Sequence, residues 1–246
     1  MPAPTPSRLS AADLIDLVLD GGSWSSWDTP PDRTGVSAEY AAVLAAAEEK
    51  SGVDESVLTG EGLMHGRRVA VVMGEFAFLA GSIGRAAADR LVTAIERATR
   101  EGLPLLAAPV SGGTRMQEGT PAFVQMVRIT EAVAAHKAAG LPYLVYLRHP
   151  TTGGVMASWG SLGHVTVAEP EALLGFLGPR VYQALYGQEF PSGVQTAENL
   201  YAKGLIDAVA RSTAATMRSA LARPIEPARN PNSPTSAATR RPRRLP

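Results

Sequence analysis

Apolar runs alternate with glycine-containing breaks over most of the chain. Leu103–Val110 and Tyr143–Leu147 are almost wholly apolar, and each is followed closely by a Gly-Gly pair. Runs of this kind are typical of strands covered on both faces of a parallel sheet. Residues 57–62 and 67–73 are rich in β-forming residues and flank the turn dipeptide His65-Gly66, so they predict a hairpin.

Helical periodicity predicts helices before and between these strands. The predicted helices cover residues 9–20, 37–50, 86–100, 117–139, 155–162, 179–186 and 197–203, and residues 164–167 and 172–176 add short strands. Two successive units of strand, Gly-Gly and helix imply parallel strands joined by right-handed crossovers.

The pattern therefore predicts one α/β domain with two flanking segments. The domain spans residues 53–222 and follows a helical lead-in at residues 1–52. From residue 223 onward Pro, Arg, Ser and Asn dominate and no period survives. Residues 223–246 are accordingly predicted to form a disordered basic tail.

Composition narrows the functional classes. The 246 residues carry no net charge at pH 7 and have a pI near 6.9, which does not favour a nucleic-acid partner. The absence of cysteine excludes disulfides, thiolate metal sites and cysteine nucleophiles. No apolar stretch reaches the ~18 residues of a membrane span, and the N-terminus lacks the layout of a signal peptide. A cytoplasmic protein without a membrane partner is expected.

The two Gly-Gly pairs are the candidate chemistry. Gly112-Gly113 and Gly153-Gly154 each stand between a predicted buried strand and a helix. Backbone N–H groups at such a place are unobstructed, and the helix dipole adds positive potential, so they suit an oxyanion. One Gly-Gly pair alone is more often a tight turn, but two in matching positions favour a site. Neither pair extends into a phosphate-binding motif.

The remaining candidates keep two interpretations each. Glu118 is either a general base or a carboxylate stabilised at a helix start. Arg115 either binds a phosphate or carboxylate of the substrate, or anchors the loop through an ion pair. His149 and His164 have no metal-ligand spacing, which favours structural roles, and no metal is expected. No G-x-S-x-G elbow is present, so a serine hydrolase is disfavoured.

Several phrases together resemble a known family. The phrases are E-F-A-F-L-A-G-S-I-G at 75–84, S-G-G-T-R-M-Q-E-G at 111–119, G-L-P-Y-L-V-Y-L-R-H-P-T-T-G-G-V-M-A-S at 140–158, A-E-P-E-A-L-L-G-F-L-G-P-R-V at 168–181 and A-K-G-L-I-D at 202–207. In this order they resemble the carboxyltransferase β subunit of bacterial acetyl-CoA carboxylase and, more distantly, the propionyl-CoA carboxylase β chain.

The resemblance implies a fold and assigns acyl-CoA binding and carboxybiotin presentation to different subunits. It implies a crotonase-like spiral of strand-strand-helix repeats with parallel sheets, in a subunit that binds acyl-CoA. A homologous α-type subunit presents carboxybiotin, which a separate biotin carboxyl carrier protein supplies, so a hetero-oligomer without a covalently bound cofactor is expected. The biotin ureido anion removes the α-proton in this family, and no protein base is required.

Site residues also follow from the resemblance. It implies that Gly112, Gly113, Gly153 and Gly154 supply N–H groups to the thioester oxygen. The residues implied to shape the substrate pocket are Arg115, Phe176, Gly178, Pro179 and Arg180.

The chain departs from the family pattern in ways that leave alternatives open. Without cysteine it lacks the zinc ribbon common in these β subunits, and Thr114 and Val110 replace the usual alanine and polar residue. One alternative is a biotin-independent decarboxylase or acyltransferase subunit that acts on malonyl thioesters. Another is a non-catalytic paralogue that assembles with an active carboxyltransferase.

Overall fold

A computed structural model describes residues 9–210, except for the side chains of Pro179 and Arg180. The helices are α1 Ala11–Val18, α2 Ala38–Ser51, α3 Arg85–Arg100, α4 Thr120–Ala138, α5 Pro179–Tyr186 and α6 Ala197–Ala202. The strands are β1 Ser25–Ser26, β2 Val57–Met64, β3 Arg67–Gly74, β4 Leu105–Ala108, β5 Tyr143–Leu147, β6 Thr151–Thr152, β7 Val165–Ala168, β8 Leu174–Gly175 and β9 Ala208–Val209. The predicted tail at 223–246 and the predicted end of the domain at residue 222 lie outside the described residues.

Most of the strands form one sheet in the order β1-β2-β3-β4-β5-β7-β9. β2 and β3 are the predicted antiparallel hairpin, and His65 and Gly66 turn it with φ values of 52° and 73°. From β3 to β9 every neighbouring pair is parallel, which confirms the predicted parallel arrangement. β6 and β8 pair separately, also in parallel.

Helices cover both faces of the large sheet. On one face, Leu91 and Ile95 of α3 and Ile129 of α4 are fully buried in one apolar cluster with alternate residues of the strands. On the other face, α1 packs Leu14 and Val18 against the remaining strand residues. Because β4 and β5 are covered on both sides, their sequences are continuous apolar runs rather than alternating ones.

The lead-in is fastened to the strand ends by buried polar groups. The Ala11 N–H donates to the Glu75 carboxylate at 2.7 Å, just beyond β3. The Arg148 guanidinium, just beyond β5, donates to the carbonyl oxygens of Leu9 and Gly74. The lead-in therefore contributes to the core of the domain. Between residues 9 and 210 no helix is both long and apolar enough to cross a membrane.

Three predicted elements differ from those observed. The helix predicted from residue 117 is a 3-10 turn at Met116–Glu118 followed by α4, because Gly119 adopts φ 61° and interrupts it. The helix predicted at 155–162 is a π-helical segment at Met156–Gly160. The strand predicted at 172–176 shortens to the two residues of β8.

Candidate active site

The two Gly-Gly loops meet at one edge of the sheet. They follow β4 and β5, which are parallel neighbours, so both begin at the carboxyl ends of their strands. The Ser111 N–H donates to the Pro150 carbonyl at 2.7 Å, and the Thr152 N–H donates to the Ser111 carbonyl at 3.0 Å. A Cβ added to Gly153 would lie 3.4 Å from the Cα of Gly113. The loops therefore form one continuous surface.

A third segment, which the sequence analysis did not assign to the site, packs on the first loop. Leu79 and Ala80 have φ values of 45° and 55°, a left-handed conformation that non-glycine residues rarely adopt. The Ala80 carbonyl accepts the Gly112 N–H at 2.9 Å, and the Ile83 N–H donates to the Gly113 carbonyl at 3.1 Å. Consecutive left-handed residues of this kind persist only where surrounding contacts hold them, which makes this segment a structural support of the loop.

Three of the four glycine amides are already hydrogen-bonded within the protein. The Gly112 N–H donates to the Ala80 carbonyl, the Gly113 N–H to the Ser111 hydroxyl at 2.9 Å, and the Gly153 N–H to the Gly175 carbonyl at 3.0 Å. Backbone donors in a tight, packed loop are satisfied by the nearest acceptors. These three amides therefore face acceptors within the protein, and the assignment of all four glycines to one ligand oxygen stays a prediction.

The Gly154 amide remains as the available donor. It makes no hydrogen bond to any residue in the described part of the chain, and it lies at the start of the helical turn that continues into Met156–Gly160. A Cβ at Gly154 would lie 2.9 Å from Met126 Cγ and 3.2 Å from Thr114 Oγ1. Glycine is thus the residue that fits between α4 and the first loop.

Arg115 anchors the first loop and does not face solvent. It is 1% exposed, and its guanidinium pairs with the fully buried Glu55 carboxylate at 3.0 Å, with a further bond to the Ser82 carbonyl at 2.7 Å. Burial disfavours its charge, but its hydrogen bonds and attraction to Glu55, with a contribution from Tyr40, outweigh burial and raise the pKa of Arg115. Of the two interpretations, these contacts match the loop anchor, and a role of Arg115 in the substrate pocket stays a prediction.

Glu118 is held by three partners. Its carboxylate accepts from the Tyr40 hydroxyl at 2.7 Å and from the Arg85 N–H at the start of α3, also at 2.7 Å. Arg115 lies 3.6 Å away. This arrangement matches a carboxylate stabilised at a helix start, although the helix is α3 rather than the one that follows Glu118.

The remaining predicted pocket residues lie beside the second loop. Phe176 is 70% exposed, and its carbonyl oxygen would be 3.8 Å from a Cβ on Gly153. Gly178 is the N-cap of α5, and Pro179 and Arg180 form the first turn of that helix. The side chains of Pro179 and Arg180 lie outside the described part of the structure.

Comparison with known proteins assigns the family. A family model described as carboxyl transferase domain matches residues 7–240. The chain belongs to the carboxyl transferase domain family. A probable biotin-dependent acyl-coenzyme A carboxylase β3 subunit from Mycobacterium tuberculosis is 66% identical over 203 residues, which cover 82% of this chain and 41% of that protein. This chain thus spans less than half the length of that relative.

Two further relatives support the resemblance and the fold. The acetyl-coenzyme A carboxylase carboxyl transferase subunit β of Opitutus terrae is 41% identical over 210 residues, covering 83% of this chain and 72% of that protein. A Pseudomonas malonate decarboxylase hetero-tetramer, solved in complex with malonate, superposes with a TM-score of 0.70 at 25% identity, covering 87% of this chain and 81% of that chain. The predicted crotonase-like fold and the family resemblance are both confirmed.

The histidines near the loops of this carboxyl transferase domain make structural contacts. His149 donates its N–H to the Glu169 carboxylate at 2.7 Å, and its Nδ1 accepts the Leu173 N–H at 3.0 Å. His164 Nδ1 accepts the Tyr143 N–H at 3.0 Å, at the start of β5. These bonds fix the two ends of the strand that carries the second loop.

Two cavities lie near the glycine loops. One of about 320 Å³ is lined by Tyr40, Arg85 and Glu118, between the lead-in and the first loop. Another of about 320 Å³ lies between β8 and the segment before α6 and includes Gln195. The four glycines do not line either of these two cavities.

Proposed function

We propose that this carboxyl transferase domain holds an acyl-CoA while the α-carbon of the acyl group accepts a carboxyl group. The substrate proposed is acetyl-CoA or a related short acyl-CoA, with malonyl-CoA or its homologue as product. The observation that carries the proposal is the Gly154 amide, which has no partner between residues 9 and 210 and lies where the two glycine loops touch. The similarity to acyl-CoA carboxylase β subunits supports it.

The chemistry proposed for Gly154 is stabilisation of negative charge. Removal of the α-proton from a thioester places charge on the carbonyl oxygen, and the Gly154 N–H donates to that oxygen. The first turn of the helical segment adds positive potential there. One such donor contributes about 3–4 kcal/mol when it matches the charge of the transition state. Gly112, Gly113 and Gly153 provide close approach rather than donors.

The second half of the reaction is assigned to other polypeptides. Carboxybiotin, delivered on a biotin carboxyl carrier protein, would supply both the carboxyl group and the base. An α-type carboxyltransferase subunit would present it opposite the glycine loops. The length of the Mycobacterium tuberculosis relative, of which this chain spans 41%, agrees with a site completed by further sequence.

A second candidate is decarboxylation of a malonyl thioester without biotin. The same amide would stabilise the same enolate when CO₂ leaves. This candidate is favoured by the extent of the match to the malonate decarboxylase chain, 81% of which is covered.

One assay on a reconstituted complex distinguishes the two candidates. The chain is co-purified with candidate α-type and carrier chains, the carrier in its unbiotinylated form, and malonyl-CoA is supplied with or without free biotin. The proposal expects carboxylated biotin and acetyl-CoA to form together, in equal amounts, only when biotin is present. Acetyl-CoA and CO₂ formed at the same rate without biotin would establish the decarboxylase instead. A complex that binds no acyl-CoA would refute both.

A further inference from the structure

The side chain of Gln195 occupies the space beside Gly175. A Cβ added to Gly175 would overlap the Gln195 amide oxygen and lie 2.7 Å from Gln195 Cγ. Gln195 precedes α6 by two residues, and Gly175 ends β8. The glycine is therefore needed so that the glutamine side chain can lie across the strand.

Gln195 bonds to the chain on both sides of Gly175. Its Nε2 donates to the Leu177 carbonyl at 2.7 Å, and its main-chain carbonyl accepts the Leu174 N–H at 3.0 Å. Because Leu177 offers a carbonyl acceptor, the amide must present its nitrogen there. Gln195 thus clamps β8 and the beginning of the Phe176–Gly178 loop from one side.

The other side of β8 holds the second glycine loop. The Gly175 carbonyl accepts the Gly153 N–H at 3.0 Å, and the Leu173 carbonyl accepts the Thr151 N–H at 2.9 Å. A displacement of Gly175 therefore moves Gly153 and, with it, the adjoining Gly154 amide.

The Gln195 side chain has a buried amide oxygen, Oε1, without a hydrogen-bond partner in the described chain, which packing alone would not favour. An unpaired buried polar atom destabilises a fold, and an apolar side chain of similar size would avoid this penalty. Only the Nε2 bond to Leu177 makes use of the amide.

We propose that Gln195 is a positioning residue for the second glycine loop. By fixing Gly175 and Leu177, it keeps Gly153 bonded to β8 and thereby directs the Gly154 N–H toward the substrate oxygen. The expected effect of Gln195 on turnover rests on the proposed function. Its expected effect on the position of the second glycine loop is independent of that function.

The test compares Gln195→Leu, which removes the donor at similar size, with Gln195→Glu. Gln183→Leu is the matched control, because Gln183 is exposed and lines the same cavity without bonding to β8. In the assembled complex, the Leu variant is expected to keep its melting temperature while kcat falls roughly 10- to 100-fold, as misplacement of a catalytic group produces. KM for malonyl-CoA should change less than kcat.

Two further readouts separate positioning from general damage. In hydrogen exchange by mass spectrometry, the Leu variant should exchange faster in peptides covering residues 151–157, whereas α3 should be unchanged. The Glu variant should regain activity relative to the Leu variant as pH falls, because a protonated carboxyl group can again donate to Leu177.

Defined outcomes overturn the proposal. If Gln195→Leu keeps wild-type kcat and wild-type exchange at residues 151–157, the positioning role is wrong. It is also wrong if kcat falls only in proportion to the unfolded fraction. Should the Leu variant fail to fold, a Glu variant whose kcat and exchange match wild type at every pH would overturn it. If wild type binds no acyl-CoA, the proposed function fails, and the exchange measurement still decides the loop.

Discussion

The two glycine loops touch each other, yet they are held in different ways. The first depends on charge: Arg115, which directly follows residues 111–114, is 1% exposed and pairs with the fully buried Glu55. The second depends on neutral hydrogen bonds: the Gly153 N–H donates to the Gly175 carbonyl, and the Gln195 side chain packs against Gly175.

The difference indicates a division of tasks between the loops. A buried ion pair resists displacement, because separating its members leaves an uncompensated charge in a low-dielectric interior. Neutral bonds to a two-residue strand can be adjusted at lower free-energy cost. We therefore expect the first loop to be held rigidly. The second loop carries the available Gly154 amide, and we expect its position to change more easily.

The largest effect is expected when Glu55, the buried carboxylate that holds the first glycine loop through Arg115, is removed. Glu55→Ala removes the carboxylate that bonds directly to the buried Arg115 guanidinium and leaves only the more distant Glu118, which should lower the free energy of unfolding by about 3–5 kcal/mol. Urea unfolding followed by circular dichroism measures this. Glu61→Ala, which removes one of the two carboxylates paired with the exposed Arg68, should lower it by less than about 1 kcal/mol. Equal losses for the two variants would show that the first loop is not held by buried charge.

The second loop is tested at its available donor. Gly154→Ala introduces a Cβ 2.9 Å from Met126 Cγ and 3.2 Å from Thr114 Oγ1, and we expect the loop to shift away from them and carry the amide with it. Turnover in the reconstituted complex should fall by roughly 10²-fold, as removal of an oxyanion donor does. Gly21→Ala is the control, since a Cβ there meets nothing within 4 Å. Wild-type kcat for Gly154→Ala would remove this amide from the mechanism.

We expect acid to reduce the stability contributed by residues near the strand that leads to the second loop. We expect alkali to reduce the stability contributed by a residue beside the first loop. Burial lowers the pKa of His136 and His164 from 6.5, and both histidines bond at the start of β5, which leads to the second loop. Below pH 6.5 the unfolded chain takes up protons that the folded protein resists. The contribution of these histidines to stability is therefore complete above pH 6.5 and is lost as pH falls below it.

Tyr40, beside the first loop, behaves in the opposite sense. Burial, followed by smaller contributions that include its bond to Glu118, raises its pKa from 10.0 to about 12. Its contribution to stability is complete below pH 10 and is lost as pH rises toward 12. Urea unfolding midpoints measured across pH check both expectations. His136→Gln should reduce the loss of stability at acid pH, and Tyr40→Phe should reduce the loss of stability at alkaline pH.

The smallest expected effect lies at the exposed margin of the second loop. Phe176 is 70% exposed, so Phe176→Ala should change the free energy of unfolding by less than about 0.5 kcal/mol. If its ring contacts the acyl-CoA, KM for malonyl-CoA should rise a few-fold, by about 1 kcal/mol of lost apolar contact. Leu185→Ala on α5, 65% exposed, is the control and should leave KM unchanged. An unchanged KM for Phe176→Ala would exclude this residue from the pocket.

Local patterns predicted the elements well, and long-range contacts account for what they missed. β4, β5 and α3 follow from apolar runs and helical spacing, because their burial is encoded in neighbouring residues. The meeting of the two glycine loops followed from parallel strand order. The Ala80 carbonyl that accepts from Gly112 lies 32 residues away, and no local pattern signals such a bond.

The same limit applies to side-chain partners. The identity of Glu55 as the partner of Arg115 depends on how distant segments pack, so the sequence left two interpretations of Arg115 open. The contact of Gln195 with Gly175 spans 20 residues and has no local signature. Two-residue strands such as β6 and β9 are also too short to produce an alternating pattern.

The lead-in helix has a practical consequence for producing this protein. α1 covers Val71, Met73, Leu106 and Tyr146, which are each no more than 1% exposed while it is in place. A shortened chain starting at Gly21 would present these strand residues to water as one contiguous apolar surface, a feature associated with self-association. Such a chain should precipitate or require detergent, even though its glycine loops are intact.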